Sequence, residues 1–169
     1  MVTELTEAEV RAASGEDFGQ FVAAEGTRLV RACLLLTGNV ADAEDLAQEA
    51  LTRVLERWSE VSLMESPAGY LYRTAMNLNR KRLRRLAVAA RRFVDREQND
   101  DLSIAEDRLD ILREVAALPH QQREALVLVE WLGYTAEEAG SLLGIKGVSV
   151  RARLHRARAG LQRALGDAR

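Results

Sequence analysis

The chain has 169 residues, 47% of them hydrophobic, with 5% aromatic residues, 11 glycines and 2 prolines; this allows a sizeable core, argues against a turn-rich β protein and favours an all-α fold. Lys and Arg number 24 against 26 Asp and Glu, a formal net charge of −2 that taken alone argues against a nucleic-acid binder. Counted by segment the inference reverses: residues 70–96 hold nine basic side chains and one acidic, residues 144–169 hold seven and one, while residues 1–60 hold five and twelve. Two basic blocks in an otherwise acidic chain imply two separate anionic contact surfaces.

In chain order, residues 1–16 read as an acidic tail. Residues 17–37 place Phe18, Phe21, Val22, Leu29, Val30, Cys33 and Leu36 at helical spacing, ending at Gly38. Asn39 or Asp42 can cap a second helix, in which Ala43, Leu46, Ala47, Ala50, Leu51, Val54, Leu55 and Trp58 form the inner face. Its outer face carries Glu44, Asp45, Gln48, Glu49, Arg53 and Glu56. After a polar loop, Ser66-Pro67 opens a third helix predicted to run to about Arg92. Ala68, Leu71, Tyr72, Ala75, Leu78 and Leu86 form its inner face, and Arg73, Asn77, Arg80, Lys81 and Arg84 another.

Gln98-Asn99-Asp100-Asp101 reads as a polar linker, and a second helical unit is expected from near Ile104, with Ile111, Leu112, Val115 and Leu118 inward. Pro119 then opens a helix with Leu126, Val129 and Leu132 toward the core, closed by Gly133. Thr135-Ala136-Glu137-Glu138 has the spacing of a capping box, in which hydroxyl and carboxylate satisfy orphan amide donors. The helix it starts is short and ends at Gly144. A last helix is predicted from Val148 or Ser149, with Val150, Leu154, Ala157 and Leu161 on its inner side. A short capped helix, a tight turn and a basic helix have the layout of a helix-turn-helix, with Gly140 at the closest approach of the two helices. An αα-corner with a solvated basic face is the competing reading, and Lys146, Arg151, Arg153, Arg156 and Arg158 weigh against it.

No apolar run approaches the roughly 20 residues of a membrane span, and the acidic residues 1–10 do not read as a secretory signal. Cys33 is the single cysteine, which excludes an internal disulfide and fits a buried residue in a reducing cytoplasm. His120 and His155, the only histidines, lie in different segments without an acid–nucleophile pattern. No enzyme activity, cofactor or metal site is therefore expected.

Three motifs carry a family resemblance. YTAEEAGSLLGIKGVSVRARLHRAR, residues 134–158, resembles region 4 of sigma factors of the extracytoplasmic-function group; LTGNVADAEDLAQEAL, residues 36–51, resembles sigma region 2.2; and YLYRTAMNLNRKRLRR, residues 70–85, resembles regions 2.3 and 2.4. They occur in the family's order, and the alanine- and arginine-rich composition looks actinobacterial. The resemblance implies two small helical domains, a region 2 bundle over residues 17–92 and a region 4 helix-turn-helix over 108–169, joined by a flexible linker over 93–107. It implies that the chain directs RNA polymerase to promoters, performs no chemistry of its own, and is a stress- or signal-responsive factor held by an anti-sigma factor.

The site residues follow from the same resemblance. The region 2.2 face docks on core RNA polymerase, giving Asp45, Gln48 and Glu49 that role, with a solvated acidic face as the alternative. Regions 2.3 and 2.4 open and read the minus-ten element, giving Asn77, Arg80, Lys81 and Arg84 that role, with an unstacked base captured in the loop at 58–66. Asn makes paired hydrogen bonds to a base edge, whereas Arg and Lys there can serve by neutralising phosphates. In region 4 the minus-thirty-five readers are Arg151, Ala152, His155 and Arg156, with Lys146 and Ser149 near the backbone. Arg151 and Arg156 can donate to guanine or to phosphate; His155 is either a base contact or a packing or solvent residue. Two departures stand out: Val148 replaces a glycine, which could alter the turn, and Ala139 replaces a larger aliphatic. The competing function is a stand-alone helix-turn-helix regulator with residues 1–95 as a dimerisation or sensing domain.

Overall fold

The computed structural model describes residues 7–90 and 106–167, and every regular element among them is helical. Of the linker expected at 93–107, residues 93–105 lie outside these residues and 106–107 open a helix; the helix start near Ile104 and the end of the third helix at Arg92 also lie outside them. Helix α1 spans Glu7–Thr37, so residues 7–16 belong to a helix rather than to a tail. Its second half buries Leu29, Ala32, Cys33 and Leu36. Gly38, at φ +72°, supplies the left-handed turn that a β-carbon disfavours. Asn39, not Asp42, caps α2 (Val40–Leu55): its side chain accepts from the Asp42 amide at 3.0 Å.

Helix α2 buries Ala43, Leu46, Ala47, Ala50 and Val54, following its 3.6-residue period. Trp58 lies beyond its end, opening the single turn α3 (Trp58–Val61). There the indole is buried, 5.1 Å from Phe18 and 4.9 Å from Phe21 between ring centroids. Two expected inner residues, Val30 and Leu55, are instead exposed. With Phe18, Val22 and Leu51 they line a shallow apolar groove between α1 and α2. Helix α4 (Pro67–Ala90) starts as expected, with Ser66 Oγ accepting from the Gly69 amide at 3.0 Å. It buries Leu71, Tyr72, Ala75, Met76 and Leu78; Leu86 near its end is exposed.

The second unit comprises α5 (Glu106–Ala117), α6 (His120–Leu126), α7 (Ala136–Leu143) and α8 (Gly147–Asp167). Val115 and Leu118 are buried but Ile111 is 50% exposed; α5 packs against α1 and α8. Helix α6 runs on into a π-helical turn, Val127–Trp131, in which the Leu132 amide reaches back five residues to the Val127 carbonyl at 2.9 Å. The wider turn changes which residues face inward. Val127 and Leu128 are fully buried, whereas Leu126 and Val129, expected in the core, are half-buried.

Apolar contacts are continuous between the two units. Helix α1 packs against α5, α6 and the π-turn, and α4 against α7. Polar contacts fix the junction. Arg28 donates to the Leu132 carbonyl at 2.6 Å, and Tyr72 donates to Glu25 at 2.6 Å while its ring stands edge-on to Tyr134. Arg123 donates to the carbonyls of Leu36 at 2.5 Å, Leu118 at 2.9 Å and Ala116. One guanidinium thereby satisfies orphan carbonyls at the C-terminal ends of both α1 and α5.

Candidate nucleic-acid and polymerase interfaces

Three exposed faces hold the residues singled out in the sequence. On α2, Asp45, Gln48 and Glu49 are all exposed, since their spacing keeps them on the side opposite the buried Leu46 and Ala50. Glu49 accepts from Arg53 at 2.8 Å, and Asp42 pairs with Arg82 of α4.

The second face lies between α2 and α4. Asn77, Lys81 and Arg84 are exposed and line one shallow groove with Tyr70, Thr74, Arg53 and Arg57. Tyr70 and Thr74 fall on the same helical stripe as Asn77, so periodicity could have found them. Arg57 could not be found that way, because it reaches the groove from the α2–α3 junction. Its guanidinium lies 5.9 Å from the Tyr70 ring centroid, donates to the Tyr70 hydroxyl at 3.2 Å and to Glu60 at 2.5 Å, and Glu60 pushes its pKa up.

Arg80 is not part of this groove. It turns toward the second unit and clasps Glu124 of α6 with two hydrogen bonds of 2.6 and 2.8 Å. The Glu124 side chain is 1% exposed and that of Arg80 28%. Hydrogen bonding to Glu124 raises the Arg80 pKa against the opposing effect of burial. In this conformation Arg80 joins α4 to α6 across the two units. Of the segment 58–66, Trp58 and Val61 belong to the core, while Ser59, Glu60 and Leu63–Ser66 face outward, with Leu63 85% exposed.

The third face is the helix-turn-helix. The capping box is present in both directions: Thr135 Oγ accepts from the Glu138 amide at 3.2 Å, and Glu138 accepts from the Thr135 amide at 2.7 Å. These bonds to Thr135 hold the Glu138 carboxyl below its ordinary range. Gly144 takes φ +70°, and the Ile145 amide closes the turn on the Gly140 carbonyl at 2.9 Å. Val148 leaves the turn intact, since α8 begins at Gly147 and the Ser149 amide bonds to the Lys146 carbonyl at 2.9 Å. Ala139 is fully buried despite its small size.

Val150, Leu154 and Ala157 anchor α8. Lys146, Arg151, Ala152, His155 and Arg156 are exposed, and Ser149 is half-buried. Arg151 is held by Glu137 of α7 at 2.5 Å, which lowers the Glu137 pKa. Arg158 donates to Glu130 through Nε at 3.0 Å.

Two basic helical faces, one on each helical unit, coincide with two family matches: Sigma-70 region 2 over residues 21–88 and Sigma-70, region 4 over residues 108–161. The RNA polymerase sigma-E factor of Streptomyces avermitilis is 30% identical over 152 residues, covering 88% of this chain and 85% of the relative. The chain belongs to the sigma-70 family, in its extracytoplasmic-function group. The extracytoplasmic-function RNA polymerase sigma factor SigE of Mycolicibacterium smegmatis is 32% identical, over 82% of this chain and 58% of that protein.

The fold matches a solved structure of the sigma factor RpoE in complex with the anti-sigma factor NepR from Bartonella quintana, with a TM-score of 0.73 and 23% identity over 91% of this chain and 99% of that one. The sigma factor acts with core RNA polymerase and promoter DNA in promoter-specific initiation of transcription. The region 2 match displaces the reading of a stand-alone regulator, because residues 21–88 are a sigma region rather than a dimerisation or sensing domain. Among the described residues no helix is long and apolar enough to cross a membrane.

Proposed function

We propose that the sigma factor docks on core polymerase through Asp45, Gln48 and Glu49, engages the minus-ten element through Asn77, Lys81 and Arg84, and engages the minus-thirty-five element through Lys146, Ser149, Arg151, Ala152, His155 and Arg156. The observation that carries this reading is the exposure of two basic helical faces, on α4 and on α8, in two units that match sigma regions 2 and 4. Arg53, Arg57, Tyr70 and Thr74 join the minus-ten set, because they line the same groove as Asn77. Arg80 reaches DNA only when its pair with Glu124 opens. The polymerase supplies the chemistry of phosphodiester formation, and the factor works in the cytoplasm without metal or cofactor. An anti-sigma factor controls it by covering region 2 and region 4 surfaces; the structural neighbour from Bartonella quintana is itself in complex with an anti-sigma factor.

Transcription with core polymerase on a genomic promoter library tests the reading. Run-off products from promoters sharing two spaced boxes are the expected result. Tight binding of a palindromic duplex by a dimer that does not associate with core enzyme is the result that sinks it. For the docking face, Asp45→Lys with Glu49→Lys is expected to weaken core binding at unchanged helical circular dichroism; unchanged core affinity refutes the assignment.

A further inference from the structure

Val148 is the second residue of α8 and is 59% exposed. A lone aliphatic on a surface is ordinary; the position of this one is not. At about 100° per residue, Val148 lies opposite the buried stripe of Val150, Leu154 and Ala157, at the middle of the outward face. Ala152 and His155 continue that midline, while Arg151 and Arg158 flank it on one side and Arg156 on the other. A helix in the major groove meets base edges along its midline, near its N-terminal end, and the sugar-phosphate walls along its flanks. The midline of α8 thus begins with two apolar side chains between guanidinium groups. The resemblance places a glycine where this chain has valine, so the side chain is an addition to the reading face. It is no part of the buried core in the free chain, and valine is a poorer helix former than alanine.

We infer that Val148 is a specificity-determining residue that selects thymine in the minus-thirty-five box by packing on its 5-methyl group. The methyl of thymine is the one apolar feature in the major-groove pattern of bases, and small aliphatic side chains are its natural complement. Backbone geometry allows the approach, as α8 is regular through Val148 and no non-glycine residue among those described has positive φ. The flanking arginines, with Arg151 steadied by Glu137, then serve register and phosphate contact on either side.

This inference rests on α8 being the minus-thirty-five reader, and the test separates the two. Holoenzyme carrying the full chain selects promoters from a library randomised over the minus-thirty-five box. The expected result is that the wild type enriches thymine at one position where Val148→Ala shows no such preference, with other positions unchanged. Replacing that thymine by uracil, which lacks only the methyl, is expected to weaken wild-type holoenzyme binding about fourfold and to leave Val148→Ala holoenzyme unaffected. Identical base selection by the two proteins, or an equal uracil penalty for both, overturns the inference. If Arg151→Ala and Arg156→Ala also leave selection and affinity unchanged, the reading of α8 falls with it; if they weaken binding while Val148→Ala changes nothing, the valine assignment alone is wrong.

Discussion

A β-carbon at Gly140 would stand 2.6 Å from the Ile145 carbonyl oxygen and 3.1 Å from the Gly147 amide nitrogen. Both are backbone atoms of the turn and cannot swing aside. Gly140→Ala is therefore expected to cost about 1–3 kcal/mol as an overpacked contact, measured by urea unfolding, and to weaken minus-thirty-five binding by displacing α8. A second test at this scale concerns Glu137. Its pKa is depressed chiefly by the hydrogen bond from Arg151, so the pair's contribution is present above the ordinary carboxylate pKa and is lost as pH falls through the depressed value. Arg151→Ala is expected to move the Glu137 titration midpoint, followed by NMR, upward toward its ordinary range; an unmoved midpoint excludes the pair in solution. Cys33 is buried, and that burial pushes its thiol up to about 12. Thiol reagents at neutral pH should accordingly label it only through opening of the bundle.

Among elements, the capping box and the π-turn behave differently toward sequence reading. Thr135 and Glu138 satisfy each other's local donors, and the motif is complete within four residues. Thr135→Ala is expected to destabilise α7 by about 1 kcal/mol, seen as a lower midpoint in thermal unfolding. The π-turn after α6 has no local signature. Leu126, Val129 and Leu132 satisfy an ordinary helical period, yet Val127 and Leu128 occupy the core beside Leu132. What shifts the face is the bond from the Leu132 amide to the Val127 carbonyl, together with the seating of Arg28 on the Leu132 carbonyl. The first lies within the turn, and the second belongs to the packed junction with α1. The same holds for Trp58, whose spacing continues α2 but whose ring leaves it to meet Phe18 and Phe21.

At the scale of the whole molecule, the Arg80–Glu124 pair ties α4 to α6 across the two sigma regions. Removing one member of a buried pair costs about 3–5 kcal/mol when the other is left uncompensated, and the two ends are unequal. Glu124 is fully buried and Arg80 reaches solvent, so Arg80→Ala is expected to destabilise the chain more than Glu124→Ala. Urea unfolding of both variants and of the double variant measures the difference; equal costs exclude a closed junction in solution. Small-angle scattering is expected to show a larger radius of gyration for Arg80→Ala. The charge pattern acts on the same scale. A chain whose two basic faces are offset to a net −2 gains little from counterion release when alone, and full-length duplex binding is expected to rise sharply on adding core polymerase.

The sequence by itself determined the helical class, the start of α4 at Ser66-Pro67, the capping box, the glycine at the helix crossing and the two basic faces. Each depends on residues within a turn or two of one another, where period and capping chemistry are readable. Tertiary structure alone decided that Arg80 leaves the face of Asn77 and Lys81, that Arg57 joins it, that Ile111 and Leu55 stay outside the core, and that the two regions pack together. Those outcomes depend on partners 13 to 104 residues away in the chain, and a helical period says which side of a helix a residue occupies but not which neighbour waits there.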